Sequence, residues 1–341
     1  MDPFELRQLG GTSVKVTRFG FGGAPMGERF VPVDNETADA VLRQACAVGI
    51  SYFDTAPQYG QGKSEARIGR ILQTRPRDSF VLSTKVGHLY ERPADPAAFA
   101  RRLRGNGLHF QIRSSYGYDA VMRSYEDSLL RLGLNRVDML VIHDIDVSQH
   151  GTAEKVDEHL RDLTEGGGWR ALEELKAAGE IRAIGCGVNE LGTIPQILDR
   201  GAVDFFLVAM PYTLADQAAL DSEFPRCAER GVAVVIGAVF ASGILATGPT
   251  PESRYAYGPA PEPVKRKVAG IEAVCRRHGV PLPAAALQFP LAHPLVAAII
   301  PGAHKVEVLT QNLALARHVI PADLWAELKH EGLLRADAPT P

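Results

Sequence analysis

Short apolar runs alternate with amphipathic stretches eight times along this chain, and few folds accommodate that rhythm. The runs fall at residues 19–23, 50–54, 80–85, 138–143, 181–185, 205–208, 232–236 and 296–300. Each is short enough for one strand and has no internal proline. Between and after them, periodicity predicts helices over 34–48, 64–72, 119–132, 172–178, 194–199, 215–230, 263–278 and 306–316. Asp34 is placed to cap the first of these, whose Ala38, Val41, Leu42 and Ala45 fall on one face. Such alternation builds parallel units, either a closed (β/α)8 barrel or an open doubly wound sheet. The open sheet calls for a G-x-G-x-x-G turn. Gly20-Phe21-Gly22-Gly23 and Gly185-Cys186-Gly187 begin that pattern and neither completes it. The expected fold is α/β, a (β/α)8 TIM barrel with an N-terminal β-hairpin over 6–17 and long rim loops. One domain is expected to span 1–341, with a rim insertion at 88–117 and a frayed tail at 335–341.

Three runs close on a group that buries badly. Asp54 ends the run from Ile50, Lys85 ends the run from Phe80, and His143 ends the run from Asp138. A charge closing a buried strand is costly unless it is paired or used. Any one of them reads equally well as a strand-end ion pair or a hydrogen-bonded core histidine. Three at the same relative position favour a shared site, and barrel active sites lie at the carboxyl ends of strands. Asn189 falls at a fourth such end.

The motif Asp54-Thr55-Ala56-Pro57-Gln58-Tyr59-Gly60, followed by Ser83-Thr84-Lys85 and Ile142-His143, resembles the aldo-keto reductases. The likeness runs from Phe19 to Asn312. It implies that Asp54, Tyr59, Lys85 and His143 form a catalytic tetrad. Tyrosine is a poor base, with a reference pKa of about 10. Lys85 is expected to favour the phenolate, while Asp54 holds Lys85 as an ammonium. Within the family, the runs 185–190 and 241–246 are similar to the branch that oxidises free aldoses, the D-threo-aldose (L-fucose) 1-dehydrogenases, and to pyridoxal 4-dehydrogenase. The activity so implied is hydride transfer between a nicotinamide cofactor and a sugar, oxidising an aldose such as L-fucose at C1 to its lactone. Pyridoxal oxidation and general NADPH-dependent reduction of aldehydes or ketones are the alternatives. A nucleotide-sensing binding module of the same fold is a reading from another class, and the intact tetrad speaks against it.

The resemblance also places the cofactor. It implies contacts from Gly22 and Gly23 after the first strand, Asn189 after the fifth, Tyr212 after the sixth, and Gly237, Phe240 and Ser242 after the seventh. Asn189 stands one residue beyond the position where many members hold the carboxamide. Phe240 is the expected stacking ring, because the aligned tyrosine position holds Ala238. Pro301, Gly302, Ala303, His304 and Lys305 open the eighth helix, and Gln311 and Asn312 follow in it. Free N–H groups at a helix N-terminus suit a phosphate. Members preferring NADP commonly carry an arginine where this chain has Val308, which favours NAD over NADP. His304 or Lys305 leaves use of both open. Phe21, Tyr52, Tyr90 and Tyr116 are the expected aromatic walls of the substrate pocket. The insertion 88–117, with Arg92, Arg101, Arg102, Arg104 and Arg113, is expected to overhang the rim as a lid. The proline-rich stretch 247–263, with Tyr255 and Tyr257, is a second rim loop.

Composition narrows the partners. With 45% hydrophobic and 23% charged residues, the chain of 341 can bury a large core. A net charge of −3 gives no reason to expect nucleic acid or an anionic membrane. No apolar run approaches a membrane span, and the acidic start Met1-Asp2-Pro3-Phe4-Glu5 lacks a signal-type apolar core. Cys46, Cys186, Cys227 and Cys275 form no C-x-x-C pair and read as reduced thiols, so the expected location is cytoplasmic. The ten histidines show no metal-ligand spacing, and no metal is expected. The expected partner is a small sugar or aldehyde, with the chain a monomer or weak homo-oligomer.

Overall fold

The structure, a computed structural model, describes residues 2–29, 31–102 and 107–341. Its centre is formed by the parallel strands Phe21–Gly22, Tyr52–Asp54, Val81–Val86, Met139–Ile142, Ala183–Val188, Phe205–Val208, Ala233–Ile236 and Val296–Ile299. We number them one to eight. Each lies beside its neighbours in that order. The two ends of the sheet meet, with Phe19 bridged to Ile299 and Gly22 to Gly302. Across that seam Gly20 N–H donates to Ile299 O at 2.8 Å. The sheet is therefore a closed (β/α)8 barrel, and the doubly wound alternative falls.

Strand alternation decides what faces the barrel axis. Tyr52, Val81, Met139, Val141, Phe205 and Val235 share one inner cluster. Phe53, Leu82, Leu140, Ile142 and Phe206, one residue out of step, join the larger outer cluster with the helices. Continuing the inner phase towards the carboxyl ends aims Asp54, Lys85 and His143 at one mouth. The opposite end is closed by the expected hairpin, Leu6–Gln8 paired with Lys15–Thr17. Its Leu9, Val14 and Val16 are buried in the inner cluster.

Several helices stand where periodicity put them. Asn35–Ala47 starts on Asp34, whose carboxylate accepts from Thr37 N–H at 2.7 Å, and Val306–Ala316 has the expected bounds. The helix expected over 215–230 is shorter. A 3-10 turn at Ala218–Leu220 precedes a helix limited to Glu223–Arg230. Pro225 accounts for this, because its ring and missing N–H suit the first turn of a helix and not an interior. The helices Ala153–Thr164, Leu282–Gln288 and Ala322–His330 were not expected from periodicity.

The tail does not fray. Leu334 and Ala338 are buried, and Arg335 pairs with Asp221 at 2.6 Å. The insertion 88–117 contains a hairpin, His88–Glu91 with Gln111–Ser114, and a helix Pro96–Arg102. The side chains of Arg101, Arg102 and Arg104 lie outside the described residues. Arg113 pairs with Glu91 at 2.5 Å. Among the described residues, no helix is long and apolar enough to cross a membrane, and no cluster of three or more His, Cys, Asp or Glu could hold a metal ion.

Candidate active site

Asp54 and Lys85 meet just inside the carboxyl mouth. Register sets Asp54 against Ser83 and Lys85 against Val141, so the inward side chains of strands two and three are neighbours. Ser83 Oγ donates to Asp54 Oδ1 at 2.6 Å, and Lys85 Nζ donates to Oδ2 at 2.7 Å. Lys85 Nζ also donates to Thr55 O at 2.8 Å. Both charged side chains are 2% exposed. Burial pushes the Lys85 ammonium down, but Asp54 and then the Tyr59 phenol outweigh it, and its pKa is raised. Lys85 is a fixed cation.

Tyr59 lies over that cation, with Lys85 Nζ 4.9 Å from the centre of its ring. The loop that carries it is set by an approach of backbone on backbone. Gly60 has φ +66°, and a Cβ there would lie 2.4 Å from Gly27 O, so only glycine fits. The insertion holds the loop from its other side. Tyr90 OH donates to Pro57 O, and Leu108 N–H donates to Gly60 O at 3.0 Å. Burial raises the Tyr59 pKa, and the Lys85 charge offsets only part of that rise. Lys85 thus acts in the expected direction, favouring the phenolate, while burial outweighs it.

His143 faces Tyr59 edge-on, with ring centres 6.1 Å apart. Tyr116 OH donates to the His143 carbonyl at 2.7 Å and fixes the end of strand four. His88 lies behind, its ring centre 5.0 Å away. His143 Nδ1 and His88 Nε2 are both buried without a hydrogen-bond partner among the described residues. Burial, then His88 and Lys85, hold His143 well below the ordinary histidine range. Burial likewise pushes His88 down to about 3. A neutral imidazole can still donate one hydrogen bond to a substrate oxygen.

The mouth holds groups that sequence reasoning missed. Asp144 follows His143 with φ 27°. Aspartate visits that left-handed region more readily than most residues, at a cost of about 1–3 kcal/mol. Its Oδ2 lies 3.7 Å from His143 Nε2. Burial first, and then Asp146, raises its carboxyl to about 6. Arg29 sits 5.3 Å from the ring centre of Tyr257, and Tyr257 OH donates to Asn189 Oδ1 at 3.5 Å. The stretch 247–263 therefore does reach the mouth. Ser83 carried a signal, since it shares the face of Lys85 two residues on. Asp144 carried none beyond standing next to His143.

The residues expected to hold a dinucleotide divide into two sets. Asn189 is pinned at the mouth, its N–H and Nδ2 both donating to Asp146 Oδ2, at 3.1 and 3.0 Å. Gly237 and Phe240 are half-buried beyond strand seven. Ser242 has φ 60°, and its Oγ accepts from Tyr257 N–H at 3.0 Å. Lys305 caps Val306–Ala316 without a side-chain hydrogen bond, so the first N–H groups of that helix are open to an anion. His304 and Lys305 line a cleft of about 500 Å³ with Asp34 and Thr37. Gln311 is exposed farther along the helix and Asn312 is buried in it. These features fit a dinucleotide with its phosphates at the helix start.

The second set is packed closely into the barrel. A Cβ on Gly22 would lie 2.4 Å from Ile300 O, one on Gly23 2.6 Å from Asp54 O, and one on Gly302 2.6 Å from Pro25 Cγ. These glycines answer to barrel closure. Pro301 and Ala303 are buried beside them. Tyr212 is fully buried, its ring centre 4.6 Å from that of Phe224 and 5.3 Å from that of Phe289. It presents no surface to a ligand, because the chain after strand six turns outward into an aromatic cluster. The aromatic walls are corrected as well. Phe21, Tyr52 and Tyr116 are fully buried. Tyr52 OH is taken by Ser83 Oγ at 3.2 Å, so these rings support the mouth rather than line it.

The sequence model of the Aldo/keto reductase family matches residues 18–331. Over 338 residues the chain is 41% identical to the pyridoxal 4-dehydrogenase of Microbacterium luteolum, covering 97% of this chain and 98% of that protein. It is 38% identical to the D-threo-aldose 1-dehydrogenase of a Pseudomonas species over 331 residues, 96% of each chain. With the L-galactose dehydrogenase of Arabidopsis thaliana it shares 31% identity over 92% of this chain and 88% of that one. Among solved structures it is similar to the holo form of an aldo-keto reductase from Bacillus halodurans, with TM-score 0.74, 26% identity and 98% of both chains covered.

Proposed function

We propose, for a chain that belongs to the aldo/keto reductase family and is an NAD(P)-dependent oxidoreductase, that it oxidises an aldose such as L-fucose at C1 to the lactone, with NAD as the favoured cofactor. The observation that carries this reading is the Lys85 ammonium, fixed by Asp54 and Thr55 O beneath the Tyr59 ring. A bound nicotinamide would supply the hydride acceptor for oxidation and the hydride donor for reduction. Asn189, Phe240, Ser242 and the start of Val306–Ala316 are the groups we assign to holding that cofactor. Tyr59 takes the proton of the substrate hydroxyl in oxidation and gives one to the carbonyl in reduction. Neutral His143 donates a hydrogen bond to the same oxygen and orients it. Lys85 stabilises the phenolate left when Tyr59 has given its proton.

One observation supports a hydroxylated substrate over a planar one: the mouth presents the Asp144 carboxylate, its side chain 21% exposed. Pyridoxal also carries an acidic phenol next to its reacting carbon, and that anion would face the Asp144 carboxylate. The 41% identity to a pyridoxal 4-dehydrogenase is what favours the second reading, pyridoxal oxidation. Absorbance at the reduced-nicotinamide band with L-fucose, D-arabinose, L-galactose and pyridoxal, each with NAD and NADP, tests both. Turnover of pyridoxal alone would replace the sugar reading, and silence from every pair would leave general aldehyde reduction.

Two further results are expected. Because burial raises the Tyr59 phenol, oxidation, which needs the phenolate, should quicken as pH rises into the alkaline range. Reduction needs the neutral phenol and should stay level until strong alkali. Rate profiles in both directions check this, and a flat oxidation profile from about pH 6 to 10 would count against Tyr59 as the base. Val308 is half-buried in the first turn of the eighth helix. Val308→Arg would offer a planar cation to a 2′-phosphate and should lower KM for NADP by about tenfold with little change for NAD. Equal effects on the two cofactors would place the ribose elsewhere.

A further inference from the structure

We propose that Asp144 is a specificity residue, whose carboxylate accepts a hydrogen bond from the hydroxyl next to the reacting carbon of a polyhydroxylated substrate. The inference rests on the sugar reading above and assigns a residue to it. Two acidic side chains follow strand four, and they are held differently. Asp146 is saturated. It accepts from Gln149 N–H at 3.1 Å, Ser148 Oγ at 2.7 Å and both nitrogens of Asn189. That is a structural carboxylate, built into the turn.

Asp144 points elsewhere. Its backbone is held at φ 27°, which turns the side chain over strand five, and the strand makes room for it. A Cβ at Gly187 would lie 2.3 Å from Asp144 Oδ1, so the glycine there is the condition for the carboxylate to occupy this place. The side chain is 21% exposed, against 3% for His143. It is seated in the wall beside Asn189, where burial raises its pKa and the Asn189 side chain lowers it, and is partly exposed at the mouth.

The spacing to His143 gives the chemistry. Oδ2 and Nε2 are 3.7 Å apart, too far for a hydrogen bond between them and a gap that a bridging oxygen can serve. An oxygen bound to His143 Nε2 is the one whose carbon reacts. Adjacent hydroxyls of a sugar are spaced by about a hydrogen-bond length. The hydroxyl one carbon away can therefore reach Oδ2 while the first is held by His143. A carboxylate in this place accepts hydrogen bonds and donates none, which selects a donor hydroxyl.

The test compares an aldose that the enzyme oxidises with its 2-deoxy counterpart. The wild-type chain should prefer the parent in kcat/KM by about 10- to 100-fold, the range for a hydrogen bond to a charged group. In Asp144→Asn, chosen because asparagine also tolerates this backbone conformation, the preference should fall to a few-fold, the worth of a neutral hydrogen bond, chiefly through KM for the parent. A circular-dichroism spectrum and nicotinamide affinity like the wild type's show that the variant is folded. If it is not folded, Asp144→Ser is measured in its place. A preference unchanged in the variant overturns the inference while leaving sugar oxidation intact. An equal loss on both sugars also overturns it, since Asp144 would then act only by positioning His143. A wild-type enzyme silent on every aldose overturns the sugar reading itself, and this subsite with it.

Discussion

Tyr59→Phe is expected to keep the fold and the nicotinamide affinity and to lose turnover by about 10²–10⁴-fold, the usual worth of a positioned acid or base. The ring stays, and with it the contact over Lys85 Nζ at 4.9 Å and the edge-on contact with His143. Only the proton carrier goes. Neither neighbour can replace it. Lys85 is buried and doubly hydrogen-bonded, with its pKa raised, so it does not release a proton near neutrality. His143 is held neutral far below its ordinary range, so it does not deliver one readily. Steady-state turnover together with a fluorescence titration of the nicotinamide separates chemistry from binding. Near-normal turnover in the variant would remove Tyr59 from the reaction.

Lys85→Met is expected to damage the protein twice. Asp54 would keep only the Ser83 hydroxyl, donating at 2.6 Å, and would remain an uncompensated charge in a site where the pair is 2% exposed. Removing one partner of a buried pair costs about 3–5 kcal/mol. Turnover should fall as well, because the phenolate loses its counter-charge. The double variant Asp54→Asn, Lys85→Met removes the stranded charge. It should regain much of the stability and none of the turnover, a non-additivity that a double-mutant cycle reads directly. Urea midpoints and kcat for the two single variants and the double settle it. A single variant within about 1 kcal/mol of wild type would mean that the pair is far more hydrated than its burial indicates.

Much of the barrel was legible because the signal for it is local. Val81, Ser83 and Lys85 alternate on one face, as do Met139, Val141 and His143, and period-two alternation needs no knowledge of the rest of the chain. Asp54, Lys85 and His143 were found for that reason, and the structure brings them together. Tyr59 stands in a loop, where no period operates, and only the motif around it pointed to it. Tyr212 shows the limit. Proximity in sequence to a strand end placed it near the cofactor, but its rotation into the cluster of Phe224 and Phe289 depends on helices far along the chain. The hairpin inside the insertion was not legible for a similar reason, since His88 pairs with Ser114 across nearly the whole of it. Asp144 and Asp146 look alike in sequence. What separates them is a backbone angle and a glycine on the adjacent strand.

With Leu9, Val14 and Val16 acting as a stopper at the amino end, everything that enters this barrel must leave by the doorway it used. That holds for the substrate, for its product and for any proton exchanged with water. Whatever sits deepest waits for what lies above it to depart, so the sequence of departures is set by depth.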